Sequence, residues 1–158
     1  MVEFDVKIEA GDLYNYLMAH AYSGMSGLLG SCVGACMIIA FCYTLQWIFL
    51  VFGLILLGYL PWNLFLKSRQ MVLTVEAFKQ PLHYTLSEEG ISVSQNGELQ
   101  TQKWEDLYKA VSTTRSIIVY TTPVSAAIFP NRDLKEQRNA VIEMISTHMT
   151  PKKVKIRA

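Results

Sequence analysis

The chain contains no aspartate, glutamate, lysine or arginine from Leu13 to Leu66, a run of 54 residues. Soluble domains carry charged side chains over their whole surface, so this run excludes an ordinary soluble fold for this part of the chain. A helix that crosses the roughly 30 Å hydrocarbon core of a bilayer needs about 20 apolar residues. The run is too long for one such helix and long enough for two. It predicts a transmembrane hairpin with spans over Gly24–Cys42 and Trp47–Leu66, joined by a short turn.

Charge and composition exclude further classes of protein. The net charge is +1, 51% of the residues are hydrophobic and 17% are charged. A nucleic-acid-binding domain needs a strong positive field, so we expect no nucleic-acid partner and a lipid bilayer instead. Lys67 and Arg69 follow the second span, whereas the turn has no charge. The positive-inside rule therefore predicts a multi-pass protein of the cytoplasmic membrane with both termini in the cytoplasm.

Small residues recur at four-residue spacing along the first span. Gly27, Ser31 and Ala35 form one row, and Gly30 and Gly34 lie on another. Such rows allow a second helix backbone to approach closely. The expected partner is the second span of the same chain, and a homodimer through Gly30 and Gly34 is the alternative.

The three cysteines, Cys32, Cys36 and Cys42, all lie in the first span, which has no histidine or carboxylate. We interpret them as small apolar residues and not as metal ligands. The chain also lacks a phosphate-binding loop and a dinucleotide fingerprint. His83 and His148 have no serine or cysteine beside them in a nucleophile motif. The sequence thus predicts no catalytic residue, no metal, no cofactor and no enzyme activity.

The segment before the spans has two parts. Val2, Phe4, Val6 and Ile8 alternate with polar residues, a period of two that predicts a half-buried strand within residues 1–10. This strand needs a sheet to join, and the domain after the spans is the candidate. Asp12 is expected to cap a juxtamembrane helix within residues 11–23.

After the spans, residues 71–150 have the composition of a folded β-rich domain. Turn signals such as Asn96-Gly97 separate short apolar runs. The predicted strands are Leu82–Ser87, Gly90–Gln95, Leu99–Trp104, Lys109–Thr114, Ser116–Thr121 and Val124–Phe129. A helix is predicted over Leu134–Met149, with Asp133 and Glu136 as a capping box. Residues 71–79 suit either a helix or a strand. A strongly bent sheet or half-barrel sealed by one helix is the expected arrangement.

Three motifs in this order resemble the bacterial YcxB-like membrane proteins: Tyr84–Ile91 (YTLSEEGI), Trp104–Leu107 (WEDL) and Ile128–Arg132 (IFPNR). The resemblance implies an α+β membrane protein, with a two-helix transmembrane hairpin and a pleckstrin-homology-like bent β-barrel capped by a C-terminal helix. The N-terminal strand could supply the seventh strand of that barrel. Family members often have a basic residue where this chain has Asn131.

Two residues in these motifs are candidate contact sites. Trp104 is expected to anchor the core of the domain, with stacking on a ligand or partner as the alternative. Arg132 is expected to pair with Glu136 or Asp106, and contact with a phosphate or a partner carboxylate is the alternative.

The C-terminal segment, residues 151–158, has four positive side chains and no negative one. Lys152, Lys153, Lys155 and Arg157 could contact anionic lipid, at about 1 kcal/mol of attraction each. A solvated tail, or an added strand through Val154 and Ile156, is the alternative. Together these features predict a membrane-anchored cytoplasmic binding or adaptor module with a protein partner. A protein that senses lipid, or protects the envelope against membrane-active peptides, is the second hypothesis.

Overall fold

The structure is a computed structural model that describes residues 1–156, apart from the side chain of Ser26. The chain divides into two compact units. We call residues Leu13–Met71 the helical unit. The β domain consists of Met1–Asp12 together with the segment that begins at Val72.

Three long helices account for the segment between the two parts of the β domain. They are α1 (Ala10–Ser23), α2 (Met25–Thr44) and α3 (Trp47–Thr74). Only Leu45 and Gln46 separate α2 from α3, and Leu45 adopts a left-handed backbone with φ of 58°. Its N–H donates to the carbonyl of Phe41 at 2.7 Å, which closes the end of α2. The run without charges therefore forms a helical hairpin with a very tight turn.

The helices differ from the predicted segments at their ends. α1 begins at Ala10, so Asp12 lies in its first turn and not at the cap before Leu13. α3 continues through Pro61 to Thr74, well past Leu66, and a 3-10 turn follows at Glu76–Phe78. The undecided segment 71–79 is thus helical over most of its length. At 1.5 Å per residue, the 28 residues of α3 extend about 42 Å, more than a bilayer core requires.

The first sheet of the β domain contains β1 (Val2–Val6), β2 (Leu82–Leu86), β3 (Gly90–Gln95) and β4 (Glu98–Lys103), in that order. All neighbouring strands are antiparallel, and Phe4 pairs with Tyr84. Asn96 and Gly97 have φ of 52° and 85°, the left-handed pair that a tight β3–β4 turn requires. The N-terminal strand is therefore an edge strand of a sheet whose other members follow the helical unit.

The second sheet contains β5 (Lys109–Ser112), β6 (Ser116–Tyr120), β7 (Ala126–Pro130) and β8 (Val154–Lys155), in the order β7-β6-β5-β8. The prediction of one bent barrel is wrong, because the described strands form two open sheets. A 3-10 turn at Trp104–Asp106 follows β4 directly, and no pairing joins β4 to β5. Several strands also end one or two residues before their predicted ends.

Aromatic side chains join the two sheets. The ring of Phe129 lies 5.2 Å from that of Phe4 and 4.9 Å from that of Tyr84, edge to face in both cases. Phe129 is fully buried, as is the whole of β6. The core of the β domain thus lies between the sheets.

The predicted closing helix over Leu134–Met149 is wrong only at its start, over residues 134–137. The structure has α4 (Asn131–Leu134), a 3-10 turn at Lys135–Gln137, and then α5 (Arg138–His148). Lys135 breaks the helix with φ of 46° and ψ of −119°. Neither α4, the turn nor α5 has a side-chain cap, so Asp133 and Glu136 form no capping box. α5 covers the core with Val141 and Ile145, which are completely buried.

Candidate functional site

The most densely connected polar site in the β domain surrounds Arg132, which follows β7 in α4. Its Nη1 donates to Oδ1 of Asp12 at 3.0 Å, and its Nη2 donates to Oδ2 of the same carboxylate at 2.7 Å. Nη2 also donates to the carbonyl of Lys7 at 2.9 Å. A planar guanidinium matched to both oxygens of a carboxylate is the strongest form of ion pair that side chains make. We call this pair and its neighbours the Arg132 cluster.

Two more carboxylates complete the Arg132 cluster. Glu9 lies 3.6 Å from Nη1, and Asp133 lies 3.4 Å from Nε. The side chain of Asp12 is 6% exposed, against 44% for Arg132 and 63% for Glu9. The hydrogen bond to Asp12 raises the pKa of the Arg132 guanidinium above its usual value, although burial opposes this. Nearby carboxylates act in the same direction as the hydrogen bond. Asp12 is the only one of the three that is almost completely shielded from solvent.

The same carboxylate also stabilises the start of α1. The backbone N–H of Glu9 donates to Oδ2 of Asp12 at 2.9 Å, and the N–H of Asp12 donates to the carbonyl of Glu9 at 3.0 Å. A side chain in the first turn that reaches back to the residue before the helix is one half of a capping box. Asp12 thus serves α1 and Arg132 together.

The predicted partners of Arg132 are wrong. It pairs with Asp12, Glu9 and Asp133, and not with Glu136 or Asp106. Asp133 is also occupied elsewhere, since it accepts the N–H of Lys7 at 3.2 Å. Sequence reasoning missed Asp12 because 120 residues separate it from Arg132. One local signal was available, since Asp12 is the last charge before the uncharged run.

Trp104 is a buried part of the domain, with 5% exposure. Its Nε1 donates to the carbonyl of Ser87 at 2.9 Å, which fastens the 3-10 turn to the β2–β3 connection. The ring stacks on His148 with a centroid distance of 5.4 Å. One face of the indole is therefore covered by α5, which leaves Trp104 as a packing residue and not an open stacking platform.

The basic segment is partly built into the second sheet. β8 pairs with β5 in parallel, with Val154 beside Ala110 and Lys155 beside Val111. Lys153 donates through Nζ to the carbonyl of Leu107 at 2.9 Å and to that of Glu105 at 3.3 Å.

Two of the other three positive side chains of this segment are described by the structure. Lys152 and Lys155 are exposed, and Arg157 lies outside the described residues. Of the predicted lipid contacts, the structure thus presents two side chains to solvent and directs Lys153 to backbone carbonyls.

The small residues of the two rows on α2 contact different parts of the helical unit. A Cβ at Gly34 would lie 2.9 Å from Cγ of Leu57, and one at Gly53 would lie 3.0 Å from the carbonyl of Gly34. The two glycines therefore lie where α2 and α3 approach each other closely.

The other small residues of the two rows do not contact α3 in this way. Gly27 abuts the backbone of Ala21, and the Ser31 hydroxyl lies 3.2 Å from that of Tyr22. Gly30 and Ala35 are exposed, with open space around a Cβ at Gly30.

The histidines and cysteines form no larger group. Within residues 1–156, no set of three or more His, Cys, Asp or Glu side chains is arranged to hold a metal ion. His83 lies 2.7 Å from Asp5 on the first sheet, and Nδ1 of His148 lies 3.0 Å from the carbonyl of Met144. All three cysteines are exposed on α2.

The outer edge of the first sheet is open. Every residue of β4 is exposed, and β4 pairs only with β3 among the described strands. The backbone groups on its free side are available to an added strand.

Comparison with known proteins gives one match. No match to the chain is found among curated proteins or among solved structures. The family model described as YcxB-like protein matches residues 86–145, from the end of β2 to α5. This segment contains Trp104 and Arg132, so both candidate residues lie inside the matched region. Two helices of the chain, over Gly27–Thr44 and Trp47–Thr74, are also long and apolar enough to cross a membrane. The resemblance to the YcxB-like proteins is thus confirmed over residues 86–145, which make up the greater part of the β domain.

Proposed function

We propose that the chain is a membrane-anchored binding module in which α2 and α3 cross the bilayer and the β domain lies on the cytoplasmic side. One observation carries this proposal. β1 precedes the helical unit and β2 follows it, yet the two strands pair over five residues. A sheet cannot form across a bilayer, so this pairing supports a topology in which both flanks of the hairpin are on one side of the membrane. Two crossings satisfy this requirement and a single crossing does not.

The surface of the helical hairpin supports its insertion. Large apolar side chains on both helices are about half exposed, among them Leu29, Ile39, Phe52 and Leu54. An apolar surface of this extent is unfavourable in water and favourable among lipid chains. Trp47 is exposed beside the turn, as expected for an aromatic ring at the headgroup level.

The cytoplasmic orientation rests on charge. Lys67 and Arg69 are exposed near the C-terminal end of α3, and the turn at Leu45–Gln46 is neutral. Positive residues are retained on the cytoplasmic side during insertion. The β domain follows them directly, which supports a location of this domain in the bacterial cytoplasm.

A binding role agrees with the surfaces of the β domain. Its histidines contact Asp5 and Trp104, and its best-connected site is the Arg132 cluster, which holds the domain together. The exposed edge of β4 offers six residues of backbone to an extended segment of a partner protein. We therefore infer an adaptor role and no catalytic chemistry.

We further propose that the β domain is a variant of the pleckstrin-homology-like fold. An antiparallel four-stranded sheet and a second four-stranded sheet, antiparallel except for β8, are covered by a C-terminal helix and support this relationship. The parallel strand β8 and the open edge at β4 are the points at which this chain departs from a closed barrel.

Cysteine labelling tests the topology. In a background with Cys32, Cys36 and Cys42 replaced by serine, single cysteines are placed at Gln46 in the turn and at Asn96 in the β3–β4 turn. Both positions are exposed. A membrane-impermeant thiol reagent is expected to label Gln46→Cys from outside intact spheroplasts and Asn96→Cys only after permeabilisation. Labelling of Asn96→Cys in intact spheroplasts would invert the orientation, and equal labelling of both would exclude two crossings.

A second function is favoured by the exposed Lys152 and Lys155, which could bring the β domain against an anionic leaflet. In this case the protein senses lipid or protects the envelope against membrane-active peptides. Deletion of the gene followed by challenge with a panel of cationic membrane-active peptides tests it. Unchanged sensitivity to every peptide would exclude the protective role.

Self-association through α2 is a further part of this proposal. Gly34 packs against α3, so of the predicted pair only Gly30 remains exposed for a contact between two copies. In a background with the three native cysteines replaced by serine, Gly30→Cys is expected to form a disulfide-linked dimer in native membranes. A chain that stays monomeric under all oxidising conditions would contradict a dimer contact at Gly30.

A further inference from the structure

A cleft lies between the two sheets of the β domain, on the side of β4. It consists of two cavities of about 390 and 200 Å3, which share Tyr84, Val93 and Gln100 in their walls. The larger cavity is within the usual size range of sites that hold small molecules. The smaller one lies between strands of the first sheet and Ala126 and Ala127 of β7 in the second. Both sheets thus contribute walls to one cleft.

The smaller cavity has an uncharged lining. Ile91 and Leu107 in its wall are buried, and Val93 is half-buried. Among the described residues, Glu98 is the one charged side chain that lines the cleft, and it belongs to the larger cavity. A charged group that entered the smaller cavity would lose its water without gaining an ion-pair partner. The cleft therefore favours an uncharged ligand.

The hydroxyl of Tyr84 is an unused hydrogen-bond donor in this cleft. The residue is 7% exposed, and its ring packs against those of Phe4 and Phe129. Within residues 1–156 the hydroxyl has no hydrogen-bond partner, and burial alone raises its pKa. Buried hydroxyl groups ordinarily have a partner, and this side chain lines both cavities. A ligand that accepts a hydrogen bond here would satisfy a donor that the described chain leaves unpaired.

Two free carboxamides form the outer wall of the cleft. Gln100 and Gln102 are two residues apart on β4, so both side chains lie on the same face of the strand. Both are exposed and line the smaller cavity. Gln95 differs, because its Nε2 donates to the carbonyl of Ala77 at 2.8 Å. A carboxamide has N–H donors and a carbonyl acceptor, so its natural complement is a second amide.

We propose that this cleft binds an uncharged small molecule that carries a carboxamide on an apolar body. The Tyr84 hydroxyl donates to the carbonyl of the ligand amide, and Gln100 and Gln102 exchange hydrogen bonds with its remaining polar groups. The apolar body lies between Val93 on one wall and Ala127 on the other. A pocket with an apolar lining, a few convergent polar groups and one titratable group of shifted pKa is typical of small-molecule sites.

This inference goes beyond the proposed function. The ligand contacts side chains on one face of β4, whereas an added partner strand would use the free backbone edge of β4. Binding requires neither insertion of the hairpin nor a protein partner. Failure of this proposal would therefore leave the adaptor role untouched.

The test uses the full chain in phosphatidylcholine nanodiscs, with benzamide as the probe. Benzoate is the matched control ligand, because it has nearly the same shape and a negative charge. Backbone amide resonances of Val93 and Ala127, on opposite walls, are followed at constant pH and ionic strength. Benzamide is expected to shift both resonances saturably, and benzoate to bind at least about tenfold more weakly. Absence of saturable shifts with benzamide, or equal binding of the two probes, would overturn the proposal.

Tyr84→Phe tests the buried donor. The change removes one oxygen and keeps the ring that packs against Phe4 and Phe129, so benzamide is expected to bind about fivefold more weakly. Tyr108→Phe makes the same change at an exposed position outside the lining and should alter binding less than about twofold.

Gln100→Met tests the outer wall, because it removes one carboxamide and keeps the length of the side chain. It is also expected to weaken benzamide binding about fivefold, and Gln137→Met, at an exposed position outside the lining, to change it less than about twofold. The resonance of the buried Ile118 reports folding, and Gln100→Met decides the outcome if Tyr84→Phe does not fold. Unchanged binding in the folded cleft variants, or equal weakening by the control variants, would contradict this site.

Discussion

Arg132 and Asp12, 120 residues apart in the chain, form two parallel hydrogen bonds of 3.0 and 2.7 Å. This pair joins the first turn of α1 to the segment that follows β7. Each residue makes a second backbone contact, Asp12 with Glu9 and Arg132 with Lys7. The pair thus connects the N-terminal and C-terminal parts of the β domain next to the residue at which the helical unit begins.

Replacement of Asp12 by asparagine should destabilise the β domain. The change leaves the Arg132 guanidinium without its buried counter-charge, which costs 3–5 kcal/mol for fully buried pairs. Because Arg132 is partly exposed, we expect a loss of about 1–3 kcal/mol in the free energy of unfolding, measured by urea titration in detergent. Glu9→Gln is the control, since this exposed carboxylate lies farther away and should change stability by less than about 0.5 kcal/mol. Equal losses in the two variants would contradict a specific role for Asp12.

The hairpin should depend on the glycine contact between α2 and α3. Gly53→Val places methyl groups against the carbonyl of Gly34, so the helices must separate. Overpacking of this kind costs about 1–3 kcal/mol. The expected result is a lower yield of a disulfide between cysteines placed across α2 and α3. Gly58→Val is the matched control in the same helix, because open space surrounds that position. If both variants reduce cross-linking alike, the contact is not what positions the helices.

Stability should fall at alkaline pH because of Tyr84. Burial raises the pKa of this phenol to about 12 from the usual value of 10.0. Between these values the unfolded chain releases a proton that the folded chain retains, so the free energy of unfolding decreases as the pH rises. The decrease begins near pH 10, reaches about 2 kcal/mol at pH 12 and levels off above that pH. Tyr84→Phe should remove this part of the pH dependence. An unchanged difference between pH 9 and pH 12 in the variant would assign the effect to other groups.

A substitution at Lys135 should stabilise the protein. Its φ of 46° and ψ of −119° form a backbone conformation that glycine adopts without cost and that a lysine adopts with strain. Lys135→Gly is therefore expected to raise the free energy of unfolding by about 0.5–1 kcal/mol. Lys79→Gly, at a helical φ of −77°, should have no stabilising effect. A lower stability for Lys135→Gly would show that the side chain, and not the backbone, determines this break between α4 and α5.

Features with a local cause could be predicted from the sequence. The helical hairpin follows from the missing charges, and the β3–β4 hairpin follows from Asn96-Gly97, which adopts the expected left-handed conformations. The alternation around Phe4 correctly indicates a strand. In each case, neighbours within a few residues determine the conformation.

Features that depend on distant residues could not be predicted in this way. The partner of Arg132 is Asp12, which precedes the hairpin in sequence, whereas Glu136 and Asp106 were the alternatives nearer to Arg132 in sequence. The separation into two sheets depends on the 3-10 turn at Trp104, whose indole is fastened to Ser87. Nothing local to Lys135 marks the break in the closing helix. Tertiary contacts determine the first two of these features.

The pairing of β1 with β2 has a consequence for synthesis. β1 leaves the ribosome first, but its partner emerges only after both helices of the hairpin have been made. The first sheet therefore cannot be completed until the hairpin has been translated in full. Under the proposed topology, a chain that crosses the bilayer only once would leave β1 and β2 in different compartments, and its unpaired β2 would be exposed to aggregation and proteolysis.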